Sequence, residues 1–339
     1  MMRALSLAVL ILLPLCSGCS GRQSALDAAG SEAARIESLF WTFTITVSAV
    51  WILVMTGLAL AMRRRHEAAE PLPEPLAPDR RVEHRATITI NALVIATGVI
   101  LLALMVASFL AGRSGPSLAR EHSLELELTG RQWWWDIRYA DKDPARVVTT
   151  ANEIHLPVGR AVELKLASSD VIHSFWVPNI AGKLDLVPGR QNVLFIKPER
   201  VGTYRGQCAE FCGLQHAHMA LLVVVEPEQQ FEAWYAAELG SAAEPGTPEA
   251  KRGKELFSKA ACVMCHQIRG STAGARLGPD LTHVGRRATI AAGTLPMTAV
   301  DLDSWIADPQ AVKPGVSMPK VDLSPEDRRS IVAYLGSLK

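Results

Sequence analysis

Two long uncharged apolar stretches constrain what this chain can fold into more than any other feature. They cover residues 39–62 and 86–112, which are 24 and 27 residues long. A membrane-spanning helix needs about 20 apolar residues, so each stretch is long enough to cross a bilayer. Two buried helices of a soluble protein would fit this length and lack of charge poorly. We therefore expect a two-helix transmembrane hairpin over residues 35–112, with helices at about 39–62 and 86–112.

The segment between the two stretches is strongly basic. Its arginines are Arg63, Arg64, Arg65, Arg80, Arg81 and Arg85. Prolines at positions 71, 73, 75 and 78 predict a short, stiff connection. Because loops rich in arginine stay in the cytoplasm, this segment is predicted to be cytoplasmic. Everything after Gly112 then lies on the opposite side of the membrane.

The N-terminus has the pattern of an export signal. Arg3 precedes an apolar run over residues 4–15, which ends in Cys16-Ser-Gly-Cys19. A basic start, a short apolar run and small residues at the exit indicate a secretory signal over residues 1–19. Small residues before Cys19 also fit a lipoprotein signal, in which Cys19 would be lipidated. Plain cleavage, retention and lipidation all stay open.

Composition divides the rest of the chain into two regions of opposite charge. Residues 120–232 hold 12 basic and 15 acidic side chains, a net charge of −3, and residues 249–339 hold 13 and 9, a net charge of +4. This asymmetry predicts transient electrostatic docking, either between the two regions or with partners. Neither region is basic enough to predict nucleic-acid binding.

The first of these regions has the period of β-strands. Residues 124–129 read Leu-Glu-Leu-Glu-Leu-Thr, which alternates with period two. Similar short runs cover residues 153–156, 162–166, 192–196 and 221–225. Proline and glycine separate them, as at residues 157–159 and 188–189. Short strands between such turns favour a β-sandwich.

Soft metal-ligating side chains are concentrated in residues 208–219, here called the copper loop. Cys208, Cys212, His216 and Met219 offer thiolates, an imidazole and a thioether, which select copper over hard cations. A one-copper electron-transfer site uses one cysteine, so a second cysteine allows two bridging thiolates to hold two coppers. The second histidine must come from elsewhere, and His173, expected to end a strand beside a polar turn, is the candidate. A disulfide would leave the histidine and methionine unexplained, and methionine is a poor zinc ligand.

The copper loop, the segment Asp-Val-Ile-His-Ser at residues 170–174 and Gln-Trp-Trp-Trp at residues 132–135 together resemble subunit II of haem–copper cytochrome c oxidases. The resemblance spans about residues 35–235. It implies a cupredoxin-like Greek-key β-sandwich over residues 120–235, held to the membrane by the helix pair. It also implies a binuclear copper site whose ligands are His173, Cys208, Glu210, Cys212, His216 and Met219.

The resemblance assigns a role to each of these ligands. Cys208 and Cys212 would bridge the coppers, with His173 and Met219 on one of them. His216 and the backbone carbonyl of Glu210 would hold the other. The Glu210 carboxylate would reach a Mg²⁺ at the interface with the catalytic subunit.

Four further residues are interpreted beside this pattern. Three consecutive tryptophans on a strand would place Trp133 and Trp135 on one face, and the resemblance makes Trp133 the residue that receives electrons from cytochrome c. Related subunits often carry a glutamate before the second helix at a proton path. The surroundings of Glu83 do not match that pattern, so it is interpreted as a solvated loop charge. His155 and His218 match no ligand position and are read as surface or packing histidines.

A second domain is predicted over residues 249–339, after a linker over residues 236–248 rich in Ala, Gly, Ser and Pro. Its first helix shows helical spacing at Ala250, Gly253, Leu256 and Phe257. The helix leads to Cys262-Val-Met-Cys265-His266, the attachment signature of c-type haem. Cys262 and Cys265 would form thioether bonds to the haem, and His266 would bind its iron.

The sixth ligand of the haem iron is expected to be a methionine thioether. Met318 is the candidate, since it precedes a helix start at Ser324-Pro325 in the order seen in small all-α class I cytochromes c. Met297 is an alternative ligand that lacks a following helix cap, and His283 would make a haem with two histidine ligands.

The resemblance implies an electron-input subunit of a proton-translocating terminal oxidase. Electrons from a cytochrome c donor would pass through covalent haem c and the copper pair to the catalytic subunit I, which reduces O₂. This chain has no oxygen-reducing site of its own in that scheme. Its implied location is the bacterial inner membrane, with the copper and haem domains on the periplasmic face and with membrane lipid and other oxidase subunits as partners.

Other functions remain compatible with these motifs. A copper-containing nitric oxide reductase could use the same input domains. A non-enzymatic membrane-anchored copper or haem carrier is also compatible, although covalent haem argues against a copper-sensing or assembly role. Quinol oxidase subunits lack the copper ligands that are present here.

Overall fold

The computed structural model describes residues 20–67, 80–112 and 124–339. The predicted signal over residues 1–19, including Cys19, lies outside the described residues. So do the prolines between the apolar stretches and the predicted start of the sandwich at residue 120.

Two long helices correspond to the apolar stretches. Helix α1 covers Ser31–Glu67 and helix α2 covers Arg80–Gly112. Both are long and apolar enough to span a membrane, and their apolar side chains are exposed, as expected for surfaces that face lipid. Glu83 lies in the first turn of α2, so its interpretation as a loop charge is wrong. The helix begins at Arg80, before the apolar stretch that starts at residue 86.

The segment before α1 is fixed to the folded region that follows the membrane helices. The side chain of Asn179, which is fully buried, accepts from the N–H of Ser24 at 3.1 Å and donates to the carbonyls of Gly21 and Asp27, both at 2.9 Å. Arg200 forms an ion pair with Asp27 at 2.6 Å. This attachment joins positions more than 150 residues apart, and no local pattern predicts it.

Residues 124–226 form a β-sandwich of two five-stranded sheets, here called the sandwich. Its strands are β1 Leu124–Arg131, β2 Trp134–Tyr139, β3 Val148–Ala151, β4 Glu153–Pro157, β5 Val162–Ser168, β6 His173–Trp176, β7 Leu184–Leu186, β8 Asn192–Ile196, β9 Gly202–Cys208 and β10 Ala220–Glu226. The sheet orders are β3-β2-β1-β5-β8 and β4-β10-β9-β6-β7. The pairs β1–β5 and β4–β10 are parallel, and the other pairs are antiparallel.

Alternation of apolar side chains builds the interior of the sandwich. In β1 and β5, which pair with Leu126 opposite Leu164, every second residue is buried. The strands expected at residues 124–129, 153–156, 162–166, 192–196 and 221–225 are confirmed. The strand expected at the three tryptophans forms as β2, which begins at Trp134. Strands β3, β6, β7 and β9 were not anticipated, because they are short or carry charged and glycine residues.

A helix closes one end of the sandwich. Helix α3 covers Glu228–Glu238 and buries Phe231 and Tyr235 against Tyr139, with ring centroids 6.5 and 5.9 Å apart. It crosses the predicted boundary between the sandwich and the linker at residue 235, so the first residues of the expected linker are helical.

Residues 248–339 form a small helical domain, here called the C-terminal domain. Its helices are α4 Pro248–Lys259, α5 Ala299–Ala307, α6 Pro309–Val312 and α7 Pro325–Ser337, and strands β11 Thr289–Ile290 and β12 Leu295–Pro296 form a small ladder. The expected cap at Ser324 is confirmed, since its side chain accepts from the N–H of Asp327. Helices α4 and α7 cross at close range, where the rings of Phe257 and Tyr334 lie 5.9 Å apart.

Candidate copper and haem centres

The copper loop connects two neighbouring strands of one sheet. Cys208 is the last residue of β9, and Ala220 is the first residue of β10. Because β9 and β10 pair antiparallel, both ends of the loop are held at one edge of the sandwich. His173 is the first residue of β6, next to β9, and therefore faces the loop. The expectation that His173 ends a strand is wrong: it begins β6, and the bend at residues 169–171 precedes it.

Soft donor atoms of the predicted copper ligands meet inside this loop. The two thiol sulfurs, of Cys208 and Cys212, lie 3.7 Å apart, too far for a disulfide bond. The Nδ1 atom of His173 lies 3.9 Å from the Cys208 sulfur, and that of His216 lies 3.6 Å from the Cys212 sulfur. The Met219 sulfur is 3.9 Å from the Cys212 sulfur. Two thiols flanked by two imidazoles and a thioether are a donor set that suits copper.

Asp170 orients the imidazole of His173. The Nε2–H group of His173 donates to the Asp170 carboxylate at 2.8 Å, which leaves Nδ1 free toward the thiols. Burial opposes ionisation, but hydrogen bonds from His173 and the N–H groups of Gln132 and Val171 lower the pKa of Asp170. A carboxylate behind a histidine ligand is a frequent way to fix the ring and raise its basicity. This role of Asp170 was not predicted from the sequence, although Asp170 lies only three positions before His173.

The two thiols of the copper loop differ in acidity. Hydrogen bonding with Cys212 lowers the pKa of Cys208 to about 3, whereas hydrogen bonding with Cys208 and burial raise the pKa of Cys212. Ionisation of both thiols together is therefore unfavourable without a cation. A metal cluster would compensate the charge of both thiolates, so the site fits a cationic group.

Glu210 offers two separate groups. Its backbone carbonyl lies 3.2 Å from the Cys208 sulfur and faces the cluster of donors. Its carboxylate accepts from the N–H of Phe211 at 3.2 Å, outside that cluster. The carbonyl and the carboxylate of Glu210 could therefore bind different metal ions.

A cavity of about 520 Å³ opens in the C-terminal domain. This volume lies within the roughly 300–1,000 Å³ range of cofactor pockets. Cys262, Cys265, His266 and Met318 all line it, with apolar side chains such as Leu302 and Ile331. A mostly apolar pocket with two thiols, an imidazole and a thioether on its wall fits a covalently attached haem.

His266 is held in the orientation that an iron ligand requires. Its Nδ1 atom lies 2.8 Å from the carbonyl oxygen of Pro279, so Nδ1 must carry the proton and Nε2 is left unprotonated. Burial lowers the pKa of His266, which keeps the ring neutral. Gly278 leaves room for the ring, since a Cβ built there would lie 2.8 Å from Cε1 of His266.

The alternative iron ligands lie elsewhere. Among the described residues that line the cavity, Met318 is present, whereas Met297 and His283 are not. Met297 packs on the core of the C-terminal domain, and His283 faces the carbonyl of Gly240 at 3.2 Å. The expectation that no helix cap follows Met297 is wrong, because Thr298 caps α5. The loop that carries Met318 is held by Gln310, whose side-chain amide donates to the Met318 carbonyl at 3.1 Å.

Trp133 lies between the copper loop and the cavity. It occupies the turn between β1 and β2, so its placement on a strand is wrong, although it is buried like Trp135 and unlike the half-buried Trp134. Its indole N–H donates to the carbonyl of Cys212 at 2.9 Å. Trp133 also lines the cavity and is 8% exposed. One side chain therefore contacts both candidate centres.

His155 and His218, which match no ligand position, have partners outside the two centres. His218 is exposed and bonds to Gln215 at 2.7 Å, as expected for a surface histidine. His155 stacks on Trp234 at 4.2 Å between ring centroids and contacts Glu226 at 2.8 Å and Glu153 at 3.3 Å.

Comparisons with known proteins agree with this arrangement. Residues 142–226 match the family model "Cytochrome C oxidase subunit II, periplasmic domain", and residues 250–339 match the model "Cytochrome c". A cytochrome c oxidase subunit 2 of Alkalihalophilus pseudofirmus is 31% identical over 329 residues, which cover 95% of this chain and 93% of that protein. The same subunit of Bacillus subtilis is 30% identical over 65% of this chain and 63% of its own length.

A solved structure is also similar in part. The periplasmic domain of subunit II of cytochrome oxidase of Bradyrhizobium japonicum is 28% identical, with a TM-score of 0.33 over 35% of this chain and 94% of that domain. The full-length relative and the two family models together cover the sandwich and the C-terminal domain. The chain belongs to the cytochrome c oxidase subunit II family and carries a cytochrome c domain at its C-terminus.

Proposed function

We propose that the chain receives electrons from a cytochrome c donor and delivers them, by way of covalent haem c and a binuclear copper centre, to the subunit that reduces O₂. As a member of its family the chain is a subunit of a haem–copper oxidase and part of its electron input. The observation that carries the finer proposal is the position of Trp133, which contacts the Cys212 carbonyl and also lines the cavity of the C-terminal domain.

The proposed copper ligands are His173, Cys208, the Glu210 carbonyl, Cys212, His216 and Met219. Their convergence and the orientation of His173 by Asp170 support this assignment. The Glu210 carboxylate, which lies apart from the thiols, is proposed to bind Mg²⁺ at the interface with the catalytic subunit.

Cys262 and Cys265 are proposed to attach the haem, with His266 and Met318 as iron ligands. The neutral ring of His266 and the presence of Met318 on the cavity wall support this assignment. When bound, both the haem iron and the copper pair accept and release single electrons. The apolar wall would shield a bound haem from water, and the tight packing around Trp133 holds its indole in one position.

The two apolar helices anchor the chain in a membrane, with its folded domains on the periplasmic side. We propose the bacterial inner membrane as the location and subunit I as the principal partner. Phe211 and Leu214 on the copper loop are 76% and 71% exposed, and such exposed apolar side chains support docking onto another subunit.

The proposal is tested with the purified oxidase that contains this chain. Reduced cytochrome c is added to a Cys208→Ser variant, with His218→Asn as a control in the same loop. We expect the haem of Cys208→Ser to be reduced while O₂ consumption is lost, whereas His218→Asn keeps both. Unchanged O₂ consumption in Cys208→Ser, or a wild-type haem that the donor cannot reduce, would contradict the proposed route.

A further inference from the structure

Lys313 is a buried lysine to which neither candidate centre assigns a role. It is 1% exposed, and its ammonium group donates to the carbonyl of Trp133 at 2.8 Å and to the carbonyl of Ala291 at 3.1 Å. Across the part of the chain that the structure describes, no carboxylate lies within 4.0 Å of this ammonium group. Both of its partners are neutral.

The two carbonyls belong to different domains. Trp133 lies in the β1–β2 turn of the sandwich, and Ala291 lies in a turn of the C-terminal domain. Ala291 and Ala292 have φ values of 51° and 56°, in the left-handed region that alanine seldom adopts. This turn also crosses the domain boundary, since the carbonyl of Ala292 accepts from the N–H of Ala220 at 3.0 Å.

Lys313 also begins the segment that leads to Met318. The next residue, Pro314, accepts from the side chain of Gln215 in the copper loop at 2.8 Å. A Cβ built at Gly315 would lie 3.2 Å from Leu214 and 3.6 Å from the ring of Trp133. The segment that carries the proposed iron ligand is therefore seated on the copper loop, with Lys313 at its start.

Stability does not explain a lysine at this position. Burying a cation without a carboxylate partner is costly, and an apolar side chain of similar length would avoid that cost. The burial also lowers the pKa of Lys313 to about 7. Lys313 nevertheless holds the carbonyls of Trp133 and Ala291, which belong to two domains. We therefore look for its role in how it positions these two groups.

We propose that Lys313 is a positioning residue that fixes Trp133 of the sandwich against the Met318 segment of the C-terminal domain. Hydrogen bonds to backbone groups hold this boundary, beside charged contacts: the N–H of Ala288 donates to the Glu153 carboxylate at 3.0 Å, and Arg286 lies 3.8 Å from the Glu238 carboxylate. The transient electrostatic docking expected from the charges of −3 and +4 stays a prediction. The kinetic part of this inference rests on the proposed route of electrons.

The test uses the full-length, haem-loaded and copper-loaded chain with Lys313→Met, and Lys251→Met as the control, since Lys251 is exposed on α4. Haem and copper spectra first show that both centres are intact in each variant. Three quantities are then measured: the rate of haem reduction by the donor, the rate of subsequent copper reduction, and the thermal midpoint. Hydrogen exchange at the Ala220 amide reports on the domain boundary.

We expect Lys313→Met to leave haem reduction unchanged and to slow copper reduction by roughly tenfold, since hydrogen bonds from a charged donor are lost. Its thermal midpoint should equal or exceed that of wild type, and the Ala220 amide should exchange faster. Lys251→Met should match wild type throughout. Copper reduction at the wild-type rate, or a rate and a thermal midpoint that fall together, would overturn the inference. A wild-type chain that never transfers electrons from haem to copper would instead contradict the proposed function.

Discussion

The close crossing of α4 and α7 gives a prediction whose size follows from the structure. A Cβ built at Gly253 would lie 1.9 Å from the carbonyl oxygen of Ser330 and 2.8 Å from the Cβ of Tyr334. Ordinary carbon–oxygen contacts begin at about 3.3 Å, so Gly253→Ala forces the helices apart by roughly 1 Å. The obstructing atom is backbone and cannot rotate away.

The expected loss of stability is about 2 kcal/mol. Overpacking costs about 1–3 kcal/mol, and a rigid backbone contact belongs in the upper part of this range. Replacing a helical glycine by alanine returns about 0.5–1 kcal/mol. For a domain of this size each kcal/mol corresponds to about 4–8 °C, so the thermal midpoint should fall by about 10 °C.

Gly336→Ala is the matched control, because Gly336 lies in α7 and has nothing within 4 Å of a built Cβ. It should gain up to about 1 kcal/mol from helix propensity alone. The assay is thermal unfolding of the full-length chain, followed by haem absorbance, since a covalent haem reports on this domain. Equal shifts for the two variants, or a Gly253→Ala midpoint at the wild-type value, would refute the close-packing argument.

Two further predictions concern single side chains. Met318→Leu should abolish the spectroscopic signature of a methionine-ligated haem, while Met297→Leu keeps it; the reverse result would assign the iron to Met297. Burial opposes protonation of His155, but hydrogen bonds to Glu153 and Glu226 raise its pKa above 6.5. Protonated His155 therefore stabilises the folded state. This contribution to the unfolding free energy is complete below pH 6.5 and is lost as pH rises through the raised pKa of His155. His155→Gln should therefore lower the unfolding free energy at acidic pH and little at alkaline pH; a loss independent of pH would contradict this.

Local patterns predicted the parts of the fold that depend on local physics. The alternation at residues 124–129 and the helical spacing at Ala250, Gly253 and Phe257 both reflect burial of one face, and both elements form. The spacing of Cys208, Cys212, His216 and Met219 located the candidate site because all four sit in one loop.

The support of His173 by Asp170 has a local signature that could have been used, because the two residues are three positions apart.

Features that depend on distant contacts were not predictable in this way. The contact of Lys313 with Trp133 joins residues 180 positions apart, and it depends on how two domains meet. Trp133 lies in a turn rather than on a strand because Gln132 and Trp133 form the two-residue connection between β1 and β2, where Arg131 pairs with Trp134.

The most direct test of the account is spectroscopy of the purified full-length chain after copper loading and haem maturation. Electron paramagnetic resonance reports the copper centre, and optical absorption after denaturation reports covalent haem. We expect a mixed-valence signal from two coupled coppers and a c-type haem spectrum that survives denaturation. A one-copper signal, no copper signal, or haem that is released on denaturation would contradict it.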